Sequence, residues 1–245
     1  MKKLIPALCM LLVAASLLGT STYAWFSMNE TVTAQGMSVK AVAEAGIVIA
    51  NAEAGTYDAV ANSAKTTTAT LKPGSTANLA NWYVSKSTNP AIANTGAAYT
   101  AGEENQHYVK HEFYIRSSAA ETLTVASLDV KSVTVKVGTG SSAQDLSKSL
   151  RVGIKMGGEA YIYAPITGFT TSYEVNGATT VAPISSNTPS TCTAITSLPA
   201  NTANGQLVEV YIWFEGEDAA CVSNNIQAVL ETLSVSVVFG YTMPT

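Results

Sequence analysis

Apolar and polar positions alternate with a period of two in several stretches of this chain, the pattern of half-buried strands. Val109, His111, Phe113 and Ile115 alternate with Lys110, Glu112, Tyr114 and Arg116. Leu150, Val152, Ile154 and Met156 form a second row, and Gly157-Gly158 turns it into residues 160–164. The two cleanest rows come late. Val208, Val210, Ile212 and Phe214 oppose Leu207, Glu209, Tyr211 and Trp213, and Leu233, Val235, Val237 and Phe239 oppose Thr232, Ser234 and Ser236. Burying such a row contributes about 1.5–3 kcal/mol per large apolar residue before entropy is charged, so these two strands are expected to be central. Shorter strands are expected at 47–49, 66–71, 123–125, 173–175 and 180–184. Lys72-Pro73-Gly74 predicts a type II turn. Residues 78–84, with Trp82 and Tyr83, read as a short helix or turn closing one end of the core, and 142–149 as one or two helical turns.

The alternation changes phase twice. Leu128 and Val130 share one parity, while Val133, Val135 and Val137 share the other. A flip near Lys131-Ser132 predicts a bulge or a strand crossing between sheets. The second flip falls at Gly36. Phe26, Met28, Val32 and Ala34 line one face, interrupted by Glu30; after Gly36 the apolar set becomes Met37, Val39, Ala41 and Ala43. Gly36 is therefore a candidate hinge. Either residues 37–43 pair within their own domain and 25–35 pair elsewhere, or the stretch is one bent strand inside one subunit. About nine to eleven strands and almost no helix predict an all-β, jelly-roll-like, two-sheet antiparallel sandwich. It would occupy residues 37–245 as a single domain, with long loops in 51–106 and 165–206.

The N-terminus adds an export signal. Lys2 and Lys3 precede an apolar run at residues 4–18, and Gly19 to Ala24 supply small residues with a cleavage site between Ala24 and Trp25. As a helix the run covers about 22 Å, short of a hydrocarbon core of roughly 30 Å. Residues 1–24 are thus a signal-peptide helix and 25–36 an N-terminal extension; a retained anchor is the alternative. The formal net charge of −4 becomes −6 once Lys2 and Lys3 leave, with 11 basic against 17 acidic residues. No basic cluster survives, so nucleic acid is not an expected partner, and contact with the membrane is expected only during export. Two cysteines remain, Cys192 and Cys221. In an exported chain they are a candidate disulfide closing a loop of about 29 residues, worth roughly 3 kcal/mol; two buried thiols are the alternative.

Candidate chemistry is sparse. His107 and His111, four apart, would share a face and bind zinc if helical. The alternation makes the segment a strand, in which they stand about 13 Å apart. No Gly-x-Ser-x-Gly elbow and no phosphate loop occur. Glu215, Glu217 and Asp218 read as a solvated acidic turn, with calcium binding as the alternative. Tyr161, Tyr163, Tyr211 and Trp213 read as sheet surface or a second core layer, with a carbohydrate-stacking face as the alternative. No catalytic residue, metal site or cofactor is expected.

Several short motifs, in order, resemble the TasA/camelysin family of secreted biofilm-matrix fibre proteins of Gram-positive bacteria. They are Ala24-Trp25-Phe26-Ser27 following the signal, Val32-Thr33-Ala34-Gln35-Gly36-Met37, the Leu71-Lys72-Pro73-Gly74 step, and the last strand at 235–239. The resemblance covers about a fifth of the chain, and the stretches 75–106 and 185–205 depart from it. It implies a jelly roll that assembles by donor-strand exchange, with Phe26, Met28, Val32 and Ala34 on the donor. The expected protein is a non-enzymatic, extracellular or cell-surface fibre subunit whose partner is itself, head to tail, together with other matrix or cell-wall components. A camelysin-like metalloprotease and a surface adhesin or carbohydrate-binding module are the alternatives.

Overall fold

A computed structural model describes residues 37–65, 71–85, 99–137, 148–169, 172–175, 179–218, 221 and 233–245. The candidate signal, the cleavage step at Ala24 and Trp25, the donor row Phe26, Met28, Val32 and Ala34, the hinge Gly36 and, of the helical turns expected at 142–149, residues 142–147 lie outside the described residues. The strands are β1 (Met37–Ala43), β2 (Ile47–Ala50), β3 (Val60–Lys65), β4 (Tyr83–Ser85), β5 (Tyr99–Ala101) and β6 (Tyr108–Ser117). They continue as β7 (Leu123–Thr124), β8 (Ser127–Lys136), β9 (Leu150–Met156), β10 (Glu159–Ala164), β11 (Tyr173–Val175) and β12 (Thr179–Val181). The last are β13 (Ile184–Ser185), β14 (Ser190–Cys192), β15 (Ser197–Leu198), β16 (Gln206–Phe214) and β17 (Ser234–Thr242).

Two large sheets form a β-sandwich, as the alternation predicts. One has the order β14-β8-β17-β1-β3 and the other β13-β10-β9-β16-β6-β2. The rows named from sequence face each other. Met37, Val39, Ala41, Val133, Val235, Val237 and Phe239 meet Val109, Phe113, Ile115, Val152, Ile154, Val208, Val210 and Ile212 in one buried core. The longest apolar rows lie inside the sheets: β16 sits between β9 and β6, and β17 between β8 and β1. Interior strands bury both margins and one face, which is why the cleanest alternation marks them.

The sheets are mixed rather than purely antiparallel. β1 runs parallel to β17, and β13 runs parallel to β10. The first and last described strands therefore lie side by side, with β1 antiparallel to β3 on its other margin. The predicted bulge is present: Val238 pairs with Ser132 and Phe239 with Val130, leaving Lys131 as the extra residue. Gly157 and Gly158, with φ of 59° and 85°, make the tight connection from β9 to β10 that only glycine adopts without strain.

Two local expectations fail, while the strand expected at 66–71 lies, apart from Leu71, outside the described residues. Lys72-Pro73-Gly74 is not a type II turn, which needs positive φ at Gly74; that glycine is not among the left-handed ones and bridges to Glu215 instead. Residues 78–84 do not plug an end of the core. They lie on the outer face of the six-stranded sheet, where Leu79, Trp82, Ile162, Tyr173, Val175, Val181, Tyr211 and Trp213 make a second apolar layer.

Candidate functional site

Two features stand out: an uncovered sheet margin and a buried ionic centre. The margin belongs to β3. Ala43 donates its backbone N–H to Ala59 at 2.8 Å, so in the antiparallel register the residues of that parity, Ala61 and Ser63, face β1. Val60, Asn62 and Ala64 then turn their backbone groups outward. On this side β2 bridges only Asp58, through Ile49 at 2.8 and 3.0 Å, and the Asn62 carbonyl accepts from the Asn51 side chain at 2.7 Å; among the described residues no strand pairs with Val60, Asn62 or Ala64 there. Val60 is 38% exposed. Protein sheets usually blunt such edges with charge, proline or a bulge, and Val60, Asn62 and Ala64 supply none of these.

The same flank continues onto the second sheet. β2 covers β6 only from Tyr114 to Ser117. Ser118 donates to Gly46 at 3.0 Å, which fixes the parity facing that side, and Lys110 and Glu112 share it. Across the gap His111 Nδ1 and Ser63 Oγ are hydrogen-bonded at 2.9 Å and join the two sheets. His111 is therefore a core histidine.

The ionic centre lies where β16 ends. Arg151 on β9 is fully enclosed and forms an ion pair with Asp218, itself enclosed. Arg151 Nη1 also donates to the carbonyl oxygens of Lys148 at 2.8 Å and Leu150 at 3.1 Å. Beside them Glu215 is wholly buried. Its carboxyl accepts from Trp213 Nε1 at 3.0 Å and from the Glu217 backbone N–H at 3.2 Å. Burial dominates these bonds and pushes the Glu215 carboxyl up to about 7. The acidic connection is thus neither a solvated turn nor a calcium loop: two of its three carboxylates are inside, one of them held by an arginine 67 residues away in sequence. Nothing in the local pattern announces this, because Arg151 sits in a row whose alternation reads as surface.

Gly74 clamps the segment 71–85 over this centre. Its N–H donates to Phe214 at 3.1 Å, and Gly216 donates to its carbonyl at 3.1 Å. Leu79 then drops onto Gly153, where an added Cβ would collide with the Leu79 methyls. Trp82 stacks on Tyr108 with centroids 4.0 Å apart and meets Trp213 edge-on at 5.2 Å. His107 packs under Gly74, its Cβ 3.3 Å from where a Gly74 Cβ would stand. His107 Nδ1 accepts the Glu103 backbone N–H at 2.9 Å, and burial lowers its pKa. The two histidines serve separate neighbours and do not converge. Among the described residues no group of three His, Cys, Asp or Glu side chains has metal-holding geometry.

The four aromatic residues do not form one face. Register places Tyr161 in the row of Ile154 and Val210, toward the core, and Tyr211 in the row of Gly153 and Ile162, on the opposite face. Tyr163 is buried and donates to Ser190 Oγ at 2.6 Å. Tyr211 and Trp213 belong to the second apolar layer.

The disulfide expectation is overturned. Cys192 and Cys221 are separate, buried thiols. Cys192 donates to the Met156 carbonyl at the end of β9, and Cys221 lies by Ser149 at its start, so about 20 Å of strand separates them. A disulfide needs Cα atoms within roughly 7 Å. Burial pushes the Cys221 thiol up to about 12.

No family model, curated protein or solved structure matches this chain, so the likeness to the TasA/camelysin family rests on the short motifs alone.

Proposed function

We propose that the chain is a secreted structural subunit of an extracellular fibre or surface matrix, and that it assembles by strand addition. Residues 25–35 of one copy pair along the outer side of β3 in the next. The observation that carries this reading is the β3 margin: three residues turn their backbone groups outward with neither charge nor proline to repel another chain. Each ladder bond is worth about 1 kcal/mol net, and apolar side chains on the added strand contribute more. In the register that turns Phe26, Met28, Val32 and Ala34 inward, a strand laid on β3 would extend the apolar row of Ala61 over the core. The donor segment leads into β1 of its own domain, an interior strand, which tethers one copy firmly to the next. Addition of this kind is head-to-tail and does not close, which makes filaments.

Two variants separate donor from acceptor. Deleting residues 25–35 is expected to leave a folded monomer that forms no filaments in negative stain. Asn62→Pro removes an outward N–H and leaves the β1–β3 ladder intact, because position 62 faces away from β1. It is expected to fold normally and to fail to polymerise. Filaments from the deletion variant refute strand donation. Filaments from Asn62→Pro alone refute β3 as the acceptor.

A further inference from the structure

The segment 71–85 is anchored at its ends, by Leu71 in the main core, by the Lys72 N–H on the Gln106 carbonyl and by β4 on β5, and its middle stands on the Glu215 carboxyl, whose cationic neighbour Arg151 is already paired. Arg151 and Asp218 neutralise each other. Glu215, enclosed beside them, is the odd charge: if ionised, the enclosed trio carries a net negative charge; if protonated, it carries none. Among the described residues packed around it, Arg151 is the one cation acting on it. From its own turn come Asp218 and half-buried Glu217, both acidic. From β9 comes Arg151, already paired, and Tyr173 on β11 and Cys221 are neutral. From the segment 71–85 only the Ser75 hydroxyl faces it, buried and short of hydrogen-bond geometry. Lys72, at the start of that segment, acts on His107.

An ionised carboxyl without a cation left to pair with is far more stable in water. β9 and β16 flank Glu215 as interior strands and are held by full ladders on both sides. The segment 71–85 is held there by two backbone bonds at Gly74, to Phe214 and from Gly216, which straddle Glu215. We infer that residues 71–85 are a pH-sensitive cover, closed over the aromatic face of the six-stranded sheet while Glu215 carries a proton and lifted as it ionises. Lifting takes Leu79 off Gly153 and Trp82 off Tyr108, Tyr211 and Trp213, and bares an aromatic surface that is otherwise enclosed. The raised Glu215 pKa, about 7, sets the transition near neutrality. His107 acts in the opposite direction: it accepts the Glu103 N–H through Nδ1, and a proton on that nitrogen removes the bond. The cover is therefore tightest between the two titrations.

Amide hydrogen exchange read by mass spectrometry on the purified protein tests this. After correction for intrinsic exchange, peptides within 71–85 are expected to lose protection about tenfold between pH 6 and pH 8, while peptides of β9 and β16 change by less than about twofold. Glu215→Gln is expected to abolish the step. The midpoint in the unmodified protein is expected to coincide with the Glu215 titration followed by carbon-13 carboxyl resonances, a measurement that stands even if the variant does not fold. No step in 71–85, an equal step throughout the sheet, a step that survives Glu215→Gln, or a midpoint displaced from the carboxyl titration overturns the inference.

Discussion

Replacing Asp218 with Asn removes the anion that Arg151 faces in an enclosed site. Both side chains are essentially inaccessible, at 0% and 1%, so solvent cannot take over. Breaking a buried pair by deleting one partner costs about 3–5 kcal/mol, because the other charge is left uncompensated. Here a second carboxyl is close at hand. In the wild type, Glu215 has a folded pKa near 7 against an unfolded value of 4.5. A raised folded pKa means stability that is fully present below pH 4.5 and lost as pH rises through 7. The whole change is about 3 kcal/mol, since each unit is worth about 1.4 kcal/mol. In Asp218→Asn the balance reverses: an ionised Glu215 now neutralises Arg151, and its pKa falls back toward the ordinary range. The variant should therefore cost about 3–5 kcal/mol at pH 5 and clearly less at pH 8, the difference approaching about 3 kcal/mol. Urea unfolding followed by the emission of buried Trp82 and Trp213 measures it, at four pH values between 5 and 8. Equal costs at both ends, or a larger cost at pH 8, would refute the claim that Glu215 stands close enough to Arg151 to replace Asp218.

Other consequences follow from the same contacts. His107→Gln should flatten the acid side of the stability profile: the folded pKa is depressed, so wild-type stability is lost as pH falls below about 6.5, and a variant retaining that loss points to another group. Gly153→Ala should destabilise by about 1–3 kcal/mol, because the new methyl meets Leu79 with Trp213 at 3.0 Å behind it; a Tm unchanged within error would show that the segment 71–85 yields freely. Both Cys192 and Cys221 should resist a thiol reagent in the folded protein and react fully in denaturant, and a linked Cys192–Cys221 peptide in a non-reduced digest would refute their separation.

The sequence by itself determined the principal strands and which of their faces turn inward. Period-two rows marked β6, β9, β16 and β17 and their inward faces, because side chains on a pleated strand must alternate and one face must leave water. A phase change marked the bulge at Lys131, since inserting one residue is what flips a row. Tertiary structure decided which strands are neighbours and what lies on the outer faces. The parallel pairing of β1 with β17 joins residues nearly 200 positions apart, and no local pattern encodes a partner at that distance. Glu215 and Asp218 look like surface residues until Arg151, on another strand, and the segment 71–85 enclose them. Tyr161 and Tyr211 look alike in their own rows, and only register puts them on opposite faces. Alternation reports that a residue is covered or exposed along its own strand; the identity of the covering group is a property of contacts between strands, and there the chemistry of this chain resides.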